Sequence, residues 1–122
     1  MGWLSYPKQS DNRIGKYTDF QMKLFQELVK LGLPCLLEYP VVREGEFTKD
    51  GKQKGYSIDI LVGKWLAVEV EGKGSSSADN DERDEYLSMH KFRTLHIPNA
   101  DIKSDAPSVA SMVKQIYEAG QQ

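Results

Sequence analysis

Asp59, Glu69 and Glu71, followed by Lys73, are the residues whose types and spacing suit chemistry. They lie in the stretch 56–74, YSIDILVGKWLAVEVEGKG, which reads as two β-strands around a tight turn at Gly63-Lys64. Side chains along a strand alternate between its two faces. Ile58, Ile60 and Val62 are therefore expected on one face of the first strand, with Ser57, Asp59 and Leu61 on the other. On the second, Leu66, Val68 and Val70 share a face, and Trp65, Ala67, Glu69, Glu71 and Lys73 share the opposite one. Pairing the strands brings Asp59, Glu69 and Glu71 to one patch beside Lys73. Like charges held together are costly unless something neutralises them. A hard divalent cation, which prefers oxygen ligands, is the fitting neutraliser.

Phosphodiester hydrolysis needs an activated water, charge neutralisation on the transferring phosphorus and help for the leaving oxygen. One or two Mg²⁺ or Mn²⁺ ions on clustered carboxylates provide all three. Asp59 and Glu69 are the expected direct ligands, with the backbone carbonyl of Val70 as a further one. Glu71 would bind a second ion or accept a proton from the water. Lys73 sits one pleat further on, about 7 Å along the strand. It would orient the water, stabilise phosphate charge or simply pair with Glu71. The competing reading is a solvated sheet face with alternating acids. Against it, Asp is unfavourable in mid-strand, yet Asp59 lies between Ile58 and Ile60.

The elements that must position these residues follow from periodicity and punctuation. Residues 1–17 form an arm in which Arg13 and Lys16 either track a phosphate backbone or simply flank packed aromatics. Residues 18–122 form one domain. A first helix is expected over 18–31, with Thr18 as N-cap, Gly32 at the C-terminal cap and Pro34 as a stop. Phe20, Met22, Leu24, Phe25, Leu28 and Val29 sweep an apolar arc, and Gln21 falls inside it. Gln21 either bonds back to the helix start, at capping-box spacing from Thr18, or looks across the core at the carboxylates. Residues 35–47 read as an edge strand, because Pro40 cannot donate to a ladder. Glu38 joins the acidic patch if the pleat turns it inward; the general exposure of Glu favours an exposed carboxylate on that edge. Asp50-Gly51 supplies a hairpin turn whose tip carries Lys49, Lys52 and Lys54, either a probe for a DNA groove or a solubilising loop.

After a small-residue loop at 75–78, a second helix is expected from Asp79 to about residue 90. A short strand over 92–97 follows, in which His96 reads as structural rather than chemical. Asp105-Ala106-Pro107 opens a last amphipathic helix. The order is helix, three-strand antiparallel meander, helix, crossover strand, helix. That is an α/β domain with a mixed four-stranded sheet flanked by helices, the fourth strand lying parallel to a meander strand.

Composition limits the classes. A chain of 122 residues with 16 Lys and Arg, 18 Asp and Glu and a net charge of −2 does not advertise nucleic-acid binding globally, so any basic surface is local. No apolar run reaches the ~20 residues of a membrane helix, and no apolar signal core opens the chain. A single cysteine, Cys35, rules out an intrachain disulfide. Together these features predict a cytoplasmic protein without a membrane partner.

The order of motifs resembles the PD-(D/E)XK nuclease superfamily, and within it small proteins related to very-short-patch-repair endonucleases. The resemblance is carried by LVKLGLP, YSIDILV, LAVEVEG, ERDEYL, FRTLHIPN and the helix after Pro107, and spans roughly residues 18–117. It implies a restriction-endonuclease-like core and a Mg²⁺- or Mn²⁺-dependent DNA endonuclease of repair, junction-resolving, restriction or homing type. It also implies metal on Asp59 and Glu69, an assisting role for Glu71, Arg83 as a phosphate contact and Asp84 as its structural partner. Glu71 stands in the superfamily's lysine position, which makes Lys73 the candidate for the cationic role. Gln21 aligns with a first-helix glutamate of relatives, and 73–77 lacks the histidine that relatives often carry. One such site nicks one strand, so double-strand cleavage favours a homodimer or a partner subunit. Two other classes fit the same residues: a nuclease fold that binds nucleic acid without cutting it, and a protein-interaction module using the edge strand or the 43–55 hairpin.

Overall fold

The computed structural model describes residues 14–72 and 77–121, with side chains from residue 19 onward in the first helix and from residue 81 onward in the second. The elements run α1 (Ile14–Lys30), β1 (Cys35–Phe47), β2 (Gln53–Val62), β3 (Leu66–Glu71), α2 (Ser77–Met89), β4 (Arg93–Pro98) and α3 (Asn99–Ala119). The four strands form one sheet in the order β1-β2-β3-β4. β1, β2 and β3 pair antiparallel and β4 lies parallel to β3, as the crossover through α2 requires. The fold is therefore an α/β domain with an open, mixed sheet flanked by helices. Among the described residues, no helix is long and apolar enough to cross a membrane.

Two apolar layers sandwich the sheet. On one face, Leu24 and Leu28 of α1 and Ile102, Ala106, Val109, Ala110 and Val113 of α3 pack on Ile60, Val62, Leu66, Val68 and Ile97. On the other, Leu87 of α2 packs on Ile58, Leu61 and Ala67. Pro40 lies on the edge strand β1, where its missing N–H breaks no inner ladder. Gly63 turns β2 into β3 with φ +66, a left-handed conformation that glycine adopts without a Cβ penalty.

Several sequence expectations shift. α1 begins at Ile14, so Thr18 lies inside the helix rather than at its N-cap. Val29, expected on the apolar arc, is half exposed. α2 begins at Ser77, two residues before Asp79. The last helix opens with a turn at Asn99 and kinks at Asp105, whose carboxylate accepts the Ser108 backbone N–H at 3.1 Å. Asp105 thus caps the longer segment, with Pro107 in its first turn. Trp65 packs with the α1–α3 layer, stacked on Tyr117 at 5.9 Å, rather than sharing a face with Ala67.

The main departure is at Asp59. Simple alternation puts Ile58 and Ile60 on one face, but Ile58 packs under α2 and Ile60 under α1 and α3. The neighbouring strand reverses at the same level: Cys35 and Leu37 face α1 and α3, whereas Leu36, Tyr39 and Val41 face α2. The inversion falls on Glu38 and Asp59, between the pairs Leu37↔Ile60 and Tyr39↔Ile58. Glu38 adopts φ 51 there. A non-glycine residue in that region costs on the order of 1 kcal/mol and persists only where its surroundings hold it.

Candidate functional site

The β2–β3 ladder ends at Ile60↔Val68, and Asp59 and Glu69 would be the next pair. Side chains take over the backbone's partners at that point. The Asp59 carboxylate accepts the Val70 N–H at 2.8 Å. The Asp59 carbonyl accepts from the Gln21 amide at 3.0 Å, across the core from α1. The same Gln21 nitrogen donates to Glu38 at 2.7 Å, and the Ser57 hydroxyl donates to the other Glu38 oxygen at 3.0 Å. These bonds hold Glu38 in its left-handed conformation. Glu38 is therefore a half-buried member of the acidic patch and not an exposed edge residue. Gln21, 7 % exposed, resolves to the reading that looks across the core.

Glu69 follows Ala67 on the α2 face and is 2 % exposed. One of its oxygens lies 3.5 Å from Arg83 of α2, and the other, Oε2, is buried without a hydrogen-bond partner. Burial pushes its carboxyl up to about 9, reinforced by the charge of Asp59. Arg83 and the Asp59 backbone amide pull the other way. Burial likewise pushes Asp59 up to about 6, with Glu38 and Glu71 adding to it and the Val70 N–H and Arg83 opposing. The two titrate as a pair, and that pair holds a proton well above the ordinary carboxylate range. A half-buried Asp59 and a buried Glu69 at the end of one ladder, the second with an unsatisfied oxygen, are oxygen donors of the kind a hard cation prefers.

Glu71, two residues on, meets β4. Its Oε2 hydrogen-bonds His96 Nδ1, and His96 Nε2 lies 2.6 Å from Asp84 Oδ2. Burial alone would lower the His96 pKa, but the hydrogen bonds and charges of Asp84 and Glu71 outweigh it and raise it. Arg83 and Asp84 thus reach different carboxylate partners, Glu69 for Arg83 and the His96–Glu71 chain for Asp84.

The structure brings together Asp59, Glu69, Val70, Glu71, Gln21 and Arg83 from the expected set. It adds Glu38 and His96, and it joins Asp84, expected beside Arg83, to His96. Among the described residues, no group of three or more His, Cys, Asp and Glu side chains is arranged to hold a metal ion. Of the expected ligands, Asp59 and Glu69 could supply side-chain oxygens and Val70 its carbonyl, so an ion held there would need water for its remaining positions. Lys73 and Arg13 lie outside the described residues, as does the side chain of Lys16. Lys49, Lys52 and Lys54 are exposed on the β1–β2 hairpin. That hairpin is braced from α2: the Tyr86 hydroxyl donates to the Val42 carbonyl at 3.0 Å, and the Arg43 guanidinium lies 5.1 Å from the Tyr56 ring and 5.6 Å from the Tyr86 ring.

His96 is the residue that sequence reasoning undervalued. The available signal was the crossover: a parallel β4 beside β3 puts His96 in register with Glu69. No protein-family model matches the chain, and no curated protein matches it.

Proposed function

We propose that the protein is a small Mg²⁺- or Mn²⁺-dependent DNA endonuclease with a restriction-endonuclease-like core. The observation that carries the reading is the Asp59–Glu69 pair at the end of the β2–β3 ladder, Asp59 half-buried and Glu69 buried with its Oε2 unsatisfied. Such a pair is costly in the isolated protein and suits a function that supplies a cation. When bound, the divalent ion supplies neutralisation of phosphate charge and acidification of a water. The chain's own residues do the rest. Asp59 is oriented by the Val70 N–H and by Gln21 on its carbonyl. Glu69 has Arg83 as its counter-charge. Glu71 stands beside them as the proton acceptor, and Lys73 is the further cationic candidate. The exposed lysines of the hairpin and Arg83 supply phosphate contacts.

The test is incubation of the purified protein with supercoiled, branched and single-stranded DNA in Mg²⁺ or Mn²⁺. Cleavage by the wild type, lost in Asp59→Ala and Glu69→Ala, is expected. Salt-sensitive DNA binding without cleavage would replace this reading with a non-cutting nucleic-acid-binding module, which the acid in the lysine position favours. Neither binding nor cleavage would leave a protein-interaction module. Double-strand breaks would further point to a homodimer or a partner subunit.

A further inference from the structure

Beyond the metal-binding pair, a second side-chain chain crosses three elements: Asp84 on α2, His96 on β4 and Glu71 on β3. Both ring nitrogens of His96 are engaged, one by each carboxylate, and the ring is only partly exposed. A ring tied at both nitrogens can neither flip nor turn. The carboxylate it holds is therefore fixed in direction as well as in place. Register strengthens the constraint. His96 pairs with Glu69 across the parallel β3–β4 ladder, and Pro98 with Glu71. The ring is thus anchored to the backbone level of one site acid while it grips the next. At the far end, Asp84 is set one residue from Arg83, which reaches Glu69 at 3.5 Å. One turn of α2 thereby contacts both site acids of β3, Glu69 directly and Glu71 through His96.

We propose that His96 is the positioning residue of the site: clamped by Asp84, it holds the Glu71 carboxylate in the orientation in which it works beside Asp59 and Glu69. This inference rests on the nuclease reading above. Three residues far apart in sequence converge for it, and neither core packing nor the cap of an element explains the arrangement. A packing role would be met by any apolar side chain of similar size. A positioning role needs a planar group that meets acceptors on opposite edges, which histidine supplies and other side chains of its size do not. The same geometry gives Glu71, which stands where the superfamily motif has a lysine, a partner that fixes its purpose.

The test measures DNA affinity and single-turnover nicking separately for the wild type, His96→Ala, Asp84→Ala, Glu71→Gln and the His96→Ala/Glu71→Gln double variant. His96→Ala is expected to lower the nicking rate about 10- to 100-fold, the usual effect of losing a group that orients an active one, with DNA affinity unchanged. Asp84→Ala is expected to give a smaller loss in the same direction. The double variant is expected to nick no more slowly than Glu71→Gln, because His96 acts through Glu71. An activity-independent readout is nuclear magnetic resonance of the imidazole. The wild type is expected to show two slowly exchanging ring N–H signals for His96, one lost in a further variant, Glu71→Ala, which removes the acceptor, and the other in Asp84→Ala. Full nicking by His96→Ala, additive losses in the double variant, or absence of the protected ring signals would overturn the proposal. A wild type with protected ring signals but no nicking on any substrate would overturn the nuclease reading and with it the positioning role. Should His96→Ala fail to fold, Asp84→Ala and the ring signals still decide.

Discussion

Replacing Asp59 by Asn should make the metal-free protein more stable, not less, and only above about pH 4. In the folded protein the Asp59 carboxyl is pushed up to about 6 from 3.8, chiefly by burial. A difference of about 2 units corresponds to about 3 kcal/mol favouring the protonated form. Because the folded-state value is raised, the folded protein binds the proton more tightly than the unfolded chain. The carboxylate costs nothing below pH 3.8, where both states are protonated. The cost grows as the pH rises to about 6 and is constant above it. Asparagine preserves the shape and an oxygen for the Val70 N–H, now 2.8 Å from a carboxylate. That bond's preference for the charged form is already contained in the shift, because it opposes burial. The gain is therefore about 3 kcal/mol, which for a domain of this size raises Tm by roughly 12 °C. Thermal unfolding at pH 3.5 and pH 8 in a chelator is the assay: a rise at pH 8 and no gain at pH 3.5. Millimolar Mg²⁺ should then stabilise the wild type and not the variant, erasing or reversing the difference. A variant that is less stable at pH 8, or a gain independent of pH, would show that burial of the Asp59 carboxylate is not what costs stability.

Arg83→Ala removes the guanidinium that lies 3.5 Å from Glu69, so both the Asp59 and Glu69 carboxyls should titrate higher than in the wild type, as followed by carbon-detected magnetic resonance of the side-chain carboxyls. Tyr86→Ala removes the hydroxyl bond to Val42 and one of the two rings beside Arg43; amide hydrogen exchange should speed up across the β1–β2 hairpin while β3 stays protected. Replacing Lys49, Lys52 and Lys54 together by Ala should weaken DNA binding and flatten its dependence on salt, by roughly 0.9 in logarithmic slope for each lysine that meets a phosphate, with the nicking rate at saturating DNA little changed.

Much of the fold was legible because its signals are local. The Asp50-Gly51 turn, the Gly63 turn, Pro40 on an edge and the crossover through α2 all follow from residue types at short range. The placement of Asp59 and Glu69 just past the end of one ladder was legible for the same reason, since one hairpin relates their strands. The pleat inversion at Glu38 and Asp59 was not. It depends on Gln21 reaching from α1 to the Asp59 carbonyl and to Glu38, contacts across 38 and 17 residues of chain. Alternation counts residues along one strand and carries no information about a bond arriving from a helix. His96 was undervalued on similar grounds. Its two partners lie on β3 and α2, and only the parallel placement of β4 brings them to opposite edges of one ring. Glu38 shows the limit of exposure rules: an acid on an edge strand is usually solvated, but here a buried amide holds it inward.

The proposed nuclease activity rests on Asp59 and Glu69 sharing a divalent cation. A crystal grown or soaked in Mn²⁺, with anomalous scattering measured at a wavelength where manganese contributes, tests it most directly. The expected result is one strong peak between the two carboxylates, about 2 Å from an oxygen of each and near the Val70 carbonyl. A fully occupied Mn²⁺ elsewhere on the protein, with none between Asp59 and Glu69, would contradict it.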